Sequence, residues 1–137
     1  MSKSKERDLH MSDLYKNFRF VVLFEKPAMA VAGFNKVSEI KSQKTGRTKR
    51  HGLALERGVT HDPEFDQWAK AAIDPHSDFR RTVTVVERDE VANEVRRQTM
   101  YEGWVDEYHA LAELDGDASA IAIEHMRIKF SDDWTSD

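Results

Sequence analysis

The sequence predicts a mainly β domain, in which about six antiparallel strands form a sandwich or small barrel with one flanking helix. Several short segments alternate apolar and polar residues, which is the period of a half-buried strand. The segment TVTVVE at residues 82–87 is dense in β-branched residues, which favour strands. Apolar residues at helical spacing occur in residues 63–73. These three observations together indicate a sheet with a single helix laid against it.

The first two strands are predicted at residues 18–25 and 29–37, separated by a turn at Lys26 and Pro27. One face of the first strand is apolar and the other is mixed, so we expect this strand to be covered on both sides. Within the second strand, Gly33 predicts a bulge or a close approach of another segment. The apolar face of the first strand consists of Phe18, Phe20, Val22 and Phe24.

A polar stretch at residues 41–52 is predicted to be a connection, with Gly46 and Gly52 as breakers. A third strand follows at residues 53–57, where two leucines alternate with other residues and therefore share one face. Gly58 then supplies conformational freedom at the exit of this strand.

The helix is predicted over residues 63–73. The carboxylate of Asp62 can accept the free amide protons at the helix start, and proline is tolerated at the first helical position, where Pro63 lies. The helix is expected to end at Asp74, because the residue before a proline is pushed away from helical angles. Its apolar residues predict one buried, mainly aromatic face, made of Phe65, Trp68 and Ala72.

Two long strands complete the predicted sheet. After the TVTVVE strand and a turn at residues 88–93, the next strand runs over residues 94–108. Turn-forming residues at 115–117 precede the last strand, at residues 121–130. The apolar alternation of this last strand changes phase, which predicts a bulge near Glu124 or burial on both faces. The residues predicted to pack in the core are Phe18, Phe20, Phe65, Trp68 and Ile128.

Length and composition limit the possible classes of protein. The chain has 137 residues, enough for one domain with a single core, which we place at residues 14–137 after a flexible arm at residues 1–13. The polar start resembles no signal peptide, and no apolar run is as long as a membrane span, so no membrane insertion is expected. The absence of cysteine excludes disulfides and thiolate metal sites. The formal net charge of −4 argues against a general nucleic-acid binder.

Charge is distributed unevenly along the chain. Residues 41–57 contain six Lys or Arg and one acid, whereas residues 102–124 contain seven acids and neither Lys nor Arg. Two oppositely charged segments can meet within a subunit or across a subunit boundary, or both can be solvated loops. The resemblance to an assembled protein, given below, favours head-to-tail contact between copies, since a heterologous interface needs complementary patches. The candidate inter-subunit contacts are Lys44, Arg47, Lys49, Arg50, Arg57, Glu102, Asp106, Glu107, Asp115 and Asp117.

No pattern in the sequence predicts catalysis, a metal or a cofactor. The pairings that come closest to a metal site are His61 with Asp62, and His76 with Asp74 or Asp78. Neither has the spacing of a known zinc motif, and Asp62 is better explained as a helix cap. The basic run GRTKRH lacks neighbouring aromatic residues on which the bases of a single strand could stack. We therefore expect a protein that is not an enzyme.

Distinctive patterns occur in three parts of the chain: NFRFVVLF with VAGFNKVSEI at residues 17–40, LALERGVTHD at residues 53–62, and ASAIAIEHMRIKFSD at residues 118–132. They resemble, in this order, the opening hairpin, the strand with its helix start, and the closing strand of the tail-tube proteins of contractile phage tails and phage-derived contractile injection systems. The resemblance extends over about residues 15–131. Residues 40–53 depart from it, because the family usually has a longer Gly-rich excursion there.

The resemblance implies a structural subunit of the inner tail tube. Subunits of this family join their sheets into homo-hexameric rings, which stack into a tube around a lumen that conducts DNA or protein cargo. Tail sheath and baseplate proteins are the other implied partners. The implied location is a virion tail or phage-like particle that is assembled in the bacterial cytoplasm.

Two alternatives remain open at this stage. The short segment at residues 41–52 favours a ring at the end of a tube, either a tube initiator or baseplate ring, or a tube-like protein of type VI secretion. A different class, a small β-barrel nucleic-acid-binding module, is supported only by the basic run.

Overall fold

In the part of the chain that the structure describes, six antiparallel strands close into one barrel, and one α-helix covers an end of it. The computed structural model describes residues 14–25, 28–44, 47–72, 80–113, 120–130 and 134–136. In chain order the elements are β1 (Phe20–Phe24), β2 (Met29–Lys44), β3 (Arg47–Thr60), α1 (Pro63–Ala72), β4 (Arg81–Arg88), β5 (Glu94–Glu113), β6 (Ile121–Lys129) and β7 (Trp134–Ser136). The order around the barrel is β4-β1-β2-β3-β6-β5, and β5 pairs back with β4. The predicted fold class is confirmed.

The hairpin of β2 and β3 is longer than the sequence predicted. The polar residues 41–52, expected as a connection, continue both strands instead, with Lys41 opposite Arg50 and Lys44 opposite Arg47. The prediction was wrong because it relied on apolar alternation, whereas backbone hydrogen bonds hold a two-stranded ladder and polar residues supply them equally well.

The interior of the barrel is filled by apolar side chains from all six strands. Leu53 and Leu55 of β3 are fully buried on the same face, as their alternation predicted. The other strands contribute Val22, Phe24, Val31, Phe34, Val83, Val85, Met100, Val105, Ile123, Met126 and Ile128 to the same core.

The two ends of the barrel are closed differently. Phe65 and Trp68 of α1 pack around Phe24 at one end, with ring centroids 5.7 and 5.3 Å from the Phe24 ring. At the opposite end, Glu39 of β2 lies 3.4 Å from Arg96 of β5, so an ion pair spans the mouth. One end is therefore apolar and covered by the helix, and the other is polar.

Helix α1 begins where the sequence predicted. The amide of Glu64 donates a hydrogen bond of 2.8 Å to the side-chain carboxylate of Asp62, which confirms the predicted cap. Ala69 is fully buried with the aromatic residues of the helix. The side chain of Ala72 and the predicted helix end at residues 73–75 lie outside the described residues.

A hydrogen bond ties α1 to the barrel wall. The hydroxyl of Tyr108 on β5 donates to the carboxylate of Asp66 over 2.7 Å. Burial and the neighbouring Asp66 charge raise the pKa of Tyr108 well above its ordinary value, so the hydroxyl keeps its proton. Lys70 holds the other Asp66 oxygen at 2.9 Å. The buried carboxylate therefore has a partner on each side, as burial of a charge requires.

The segment before β1 packs on the outside of the barrel. Tyr15 is fully buried, and its hydroxyl donates a 3.0 Å hydrogen bond to the carbonyl oxygen of Val31. The guanidinium of Arg88 donates to the carbonyl oxygen of Tyr15. Val21 packs against Tyr15, so β1 is covered on both faces, as predicted. The predicted arm at residues 1–13 lies outside the described residues.

The predicted irregularity of β6 is a β-bulge. His125 pairs with His109 on β5, and Ile123 pairs with the next β5 residue, Ala110. Glu124 is therefore the extra residue, and the strand changes its inward phase there. This explains why Ile123 and Met126 are both buried.

Candidate assembly surface

Four of the barrel strands form one broad wall in the order β2-β3-β6-β5. We call these four strands the four-stranded wall. β2 and β5, its edge strands, extend beyond the ends of β1 and β4, which complete the barrel. One face of the wall is turned to the barrel core, and the other points away from it.

Both edges of the four-stranded wall contain backbone without a strand partner among the described residues. β1 pairs with β2 only as far as Phe34, so residues 35–44 have β3 on one side and no strand on the other. β4 pairs with β5 only as far as Gly103, so residues 104–113 have β6 on one side alone. Unpaired edges of this length present free amide and carbonyl groups to another chain.

The outward face of the four-stranded wall is mostly polar. Its residues alternate with the buried Leu53, Leu55, Met126 and Ile128, and the strand register arranges them in rows across the wall. The rows are Lys36, Glu56, His125 and His109; then Ser38, Ala54, Arg127 and Glu107; then Ile40, Gly52, Lys129 and Trp104.

The acids of β5 meet basic residues of β6 on this face. Asp106 lies 3.6 Å from Arg127 and 3.9 Å from Lys129, and Glu107 lies 3.5 Å from Arg127. The sequence placed Asp106 and Glu107 in a segment without basic residues, and the neighbouring strand supplies them. Exposed pairs of this kind are weak because water screens the charges, so they do not prevent the same acids from contacting another subunit.

Glu107 also contacts two histidines. Its Oε1 atom lies 3.0 Å from Nε2 of His109 and 3.8 Å from Nε2 of His125. Loss of hydration raises the pKa of Glu107, but the His109 hydrogen bond and the charges of His125, His109 and Arg127 outweigh it and leave the pKa below its ordinary value. The carboxylate is therefore ionised at neutral pH.

The other predicted contact residues are placed as follows. Arg50 lies 3.5 Å from Glu39 of its own chain. Arg57 and Glu102 are exposed, and both have left-handed backbone with φ of 53°. The side chains of Lys44, Arg47 and Lys49, and the whole of Asp115 and Asp117, lie outside the described residues.

The predicted core residues lie in two environments. Phe65, Trp68 and Ile128 are buried in the barrel core. Phe20 is half-buried against that core, and Phe18 is half-buried against the outer cluster around Tyr15.

The structure does not support a metal site at His61 and Asp62, the described one of the two residue pairings considered in the sequence. Asp62 caps α1, and the ring of His61 lies 5.8 Å from that of Tyr15. His76, Asp74 and Asp78 lie outside the described residues. No local sequence pattern predicts the pair formed by His109 and His125, since only the register of β5 on β6 brings them together.

Residues 42–134 match the sequence profile of the family described as T4-like virus tail tube protein gp19. This match spans more than half of the chain. The chain belongs to this tail tube protein family. The family consists of structural tube proteins, and the resemblance found in the sequence is confirmed.

Solved structures of other proteins share the fold of this chain. The anti-feeding prophage baseplate contains a chain with 16% identity and a TM-score of 0.56, with 87% of this chain and 92% of that chain covered. The sheath-tube complex of an extracellular contractile injection system, PVC, contains one with 13% identity, a TM-score of 0.51, and 100% and 98% coverage. The Hcp1 protein of the E. coli EAEC 042 pathovar has 6% identity, a TM-score of 0.51, and 88% and 96% coverage. These likenesses show the fold.

A search of curated proteins finds no match to this chain. Among the described residues, α1 is neither long nor apolar enough to cross a membrane, and no other helix there could do so.

Proposed function

We propose that the chain is a structural subunit of the inner tube of a contractile tail, in which hexameric rings stack around a lumen that conducts DNA or protein cargo. Membership of the tail tube family supports this proposal. The geometric observation that carries it is the pair of open strand edges, at residues 35–44 and 104–113, on opposite sides of the four-stranded wall.

The strand directions suit closure into a ring. Neighbouring strands of the four-stranded wall alternate in direction, so β2 at one edge and β5 at the other run in opposite directions. Rotation about a ring axis roughly along the strands preserves these directions in every copy. β2 of one subunit therefore meets β5 of the next in antiparallel orientation, and the joined sheet stays antiparallel. Such a heterologous contact forms a closed ring when the rotation closes.

A ring of six walls leaves an open channel. Barrels of about 16–18 strands already enclose an aqueous channel, and six copies of a four-stranded wall exceed that number. The face that carries β1, β4 and α1 needs more room and therefore lies outside, where it is available to sheath and baseplate proteins. The polar face then lines the lumen.

The lining that results carries balanced charge. Within the three rows and the adjacent β5 bulge of the described residues, three side chains are basic and three are acidic: Lys36, Arg127, Lys129, Glu56, Asp106 and Glu107. A polar lining without a strong net charge allows cargo to pass without adhering. In this proposal the protein acts by its shape, has no catalytic role, and is assembled in the bacterial cytoplasm into a virion tail or phage-like particle.

The ring is tested by disulfide cross-linking between the two open edges. The chain contains no cysteine, so pairs can be introduced without background. We expect at least one combination of Ser38→Cys or Ile40→Cys with His109→Cys or Leu111→Cys to give, on oxidation, a ladder of covalent oligomers that ends at the hexamer. Antiparallel neighbours bring Cβ atoms to about 4.5–5.5 Å, close to disulfide range.

Each single-cysteine variant is the control, because it can link at most two chains. A pair that places one cysteine at the exposed Gln67 of α1 tests for random collision. A strictly monomeric protein by light scattering at high concentration, with no ladder from any edge pair, contradicts the proposal.

The tip of the β2–β3 hairpin is the second place to test assembly. Reversing Arg47 and Lys49 to Glu removes its basic charge and leaves the Arg50–Glu39 pair intact. We expect weaker assembly and an unchanged monomer, since substitutions of polar residues outside a core usually change stability by less than about 0.5 kcal/mol.

Sedimentation in low and high salt measures the assembly of the double variant and of the wild type. High salt should weaken the wild-type contacts as the charge reversal does, because it screens the same charges. Lys16→Glu, at an exposed residue before β1, controls for a charge reversal elsewhere on the surface. Wild-type assembly of the double variant at both salts contradicts the prediction.

A ring at the end of the tube is the second candidate. The hairpin favours it, because β2 ends at Lys44 and β3 begins at Arg47, which leaves a short connection where the family usually has a long excursion. Counting copies per particle by quantitative mass spectrometry separates the two: many rings indicate a tube, and a single ring indicates an initiator or baseplate component.

A further inference from the structure

A cluster of three potential metal ligands lies on the outward face of the four-stranded wall. His109 of β5 and His125 of β6 are directly opposite each other in the strand register. Their rings stack with centroids 4.2 Å apart and planes 25° from parallel. Because each histidine is fixed to a different strand of one ladder, their separation is set by the sheet.

Glu107 brings a carboxylate to the same point. Its Oε1 atom faces both histidine Nε2 atoms, at 3.0 and 3.8 Å. Its Oε2 atom faces Arg127 instead, at 3.5 Å. One ligand atom from each of the three residues lies within 4.8 Å of the others. Arg127 therefore orients the carboxylate from behind, as outer partners of metal ligands commonly do.

These separations suit a small divalent ion. Zinc binds histidine nitrogen and carboxylate oxygen at about 2.0–2.2 Å, which places tetrahedral ligand atoms about 3.4 Å apart. The separations of Glu107 Oε1 from the two histidine Nε2 atoms, 3.0 and 3.8 Å, lie on either side of that value. We propose that Glu107, His109 and His125 form a binding site for a divalent d-block ion of the zinc class, with the fourth position open to water or to a cargo or subunit ligand.

The ligand types define the ion further. Two imidazole nitrogens suit Zn²⁺, Co²⁺, Ni²⁺ or Cu²⁺, whereas Mg²⁺ and Ca²⁺ prefer sites made of oxygen alone. The cluster is partly exposed, with 54% of the His109 side chain and 33% of that of His125 accessible. An ion can therefore enter without unfolding the wall. Once bound, it links the edge strand β5 to its neighbour β6.

The test is titration of the full chain, free of any histidine tag, with Zn²⁺ by calorimetry and with Co²⁺ by visible absorption. We expect one ion per chain, a saturable rise in melting temperature with Zn²⁺, the intense visible bands of four-coordinate Co²⁺, and no comparable response to Mg²⁺. His125→Ala and Glu107→Gln should each weaken binding by at least the roughly 10–100-fold that loss of an outer partner alone costs.

His51→Ala is the matched control, since His51 lies on β3 outside this cluster and should leave binding unchanged. Circular dichroism without metal confirms that each variant is folded, and Glu107→Gln is nearly isosteric should His125→Ala fold poorly. Absent or Mg²⁺-like binding, or binding reduced equally by His51→Ala and Glu107→Gln, overturns the site and indicates a simple ion-pair cluster. These readouts need no ring, so they are independent of the proposed assembly.

Discussion

Replacing Trp68 with Ala should lower the free energy of unfolding by about 3–5 kcal/mol, the usual cost of deleting a large buried aromatic side chain. Trp68 is only 6% exposed. Its ring meets Phe24 edge-on at 5.3 Å and Phe65 at 5.9 Å. Truncation leaves a cavity at the apolar end of the barrel and removes two aromatic contacts, and helix α1 is too short to persist without such packing.

Urea denaturation, followed by circular dichroism at concentrations where light scattering shows monomer, measures this effect. Gln67→Ala is the control, because Gln67 is the exposed neighbour of Trp68 on the same helix, and its change should stay within about 0.5 kcal/mol. We also expect Trp68→Ala to lower the yield of soluble protein and to prevent assembly. An unchanged unfolding midpoint with normal assembly would show that the helix does not close the barrel.

The elements whose causes are local were predicted well. The cap at Asp62 and the β-branched strand β4 depend on side chains within a few residues, and the structure has both. The bulge at Glu124 was also predictable, because a change of phase in the apolar alternation is a local sequence signal. The strand pairing at the tip of the β2–β3 hairpin was not predicted. Backbone hydrogen bonds hold these strands together, and their sequence has no apolar alternation from which a strand could be recognised.

The candidate site depends on contacts that are distant in sequence, and it was therefore much less predictable. Residues 102–124 contain neither Lys nor Arg. The basic partners of Asp106 and Glu107 are Arg127 and Lys129, which only the β5–β6 ladder brings beside them. The open edges of the four-stranded wall could not be derived either. They follow from where β1 and β4 stop pairing, which no single segment encodes.

The glycine positions also show that a requirement set by a distant strand is hard to predict from the sequence. The close approach predicted at Gly33 is present, since a Cβ atom there would lie 2.8 Å from the ring of Phe18. Gly58 was assigned to the exit of a strand, but β3 continues to Thr60 and Gly58 pairs with Phe34. That assignment was wrong because the requirement at Gly58 comes from the neighbouring strand and not from a turn.

Gly58→Ala should therefore destabilise the protein by about 1–3 kcal/mol or more, the usual cost of overpacking a core. An added Cβ atom would lie 2.3 Å from Cδ1 of Phe34 and 2.5 Å from the carbonyl oxygen of Gly33. Phe34 is fully buried and cannot swing away, and the carbonyl belongs to the paired backbone of β2. Relief requires β2 and β3 to move apart inside the four-stranded wall.

Gly103→Ala is the matched comparison, because the nearest atoms to its added Cβ lie at 3.3 Å. We expect a clearly smaller loss of stability for Gly103→Ala in the same urea titration. The double variant Gly58→Ala with Phe34→Leu should be less destabilised than the sum of its single variants, since the smaller side chain removes the ring clash. The carbonyl clash remains, so the rescue should be partial. Full additivity, or equal losses at Gly58 and Gly103, would mean that the close approach of β2 and β3 does not explain the glycine.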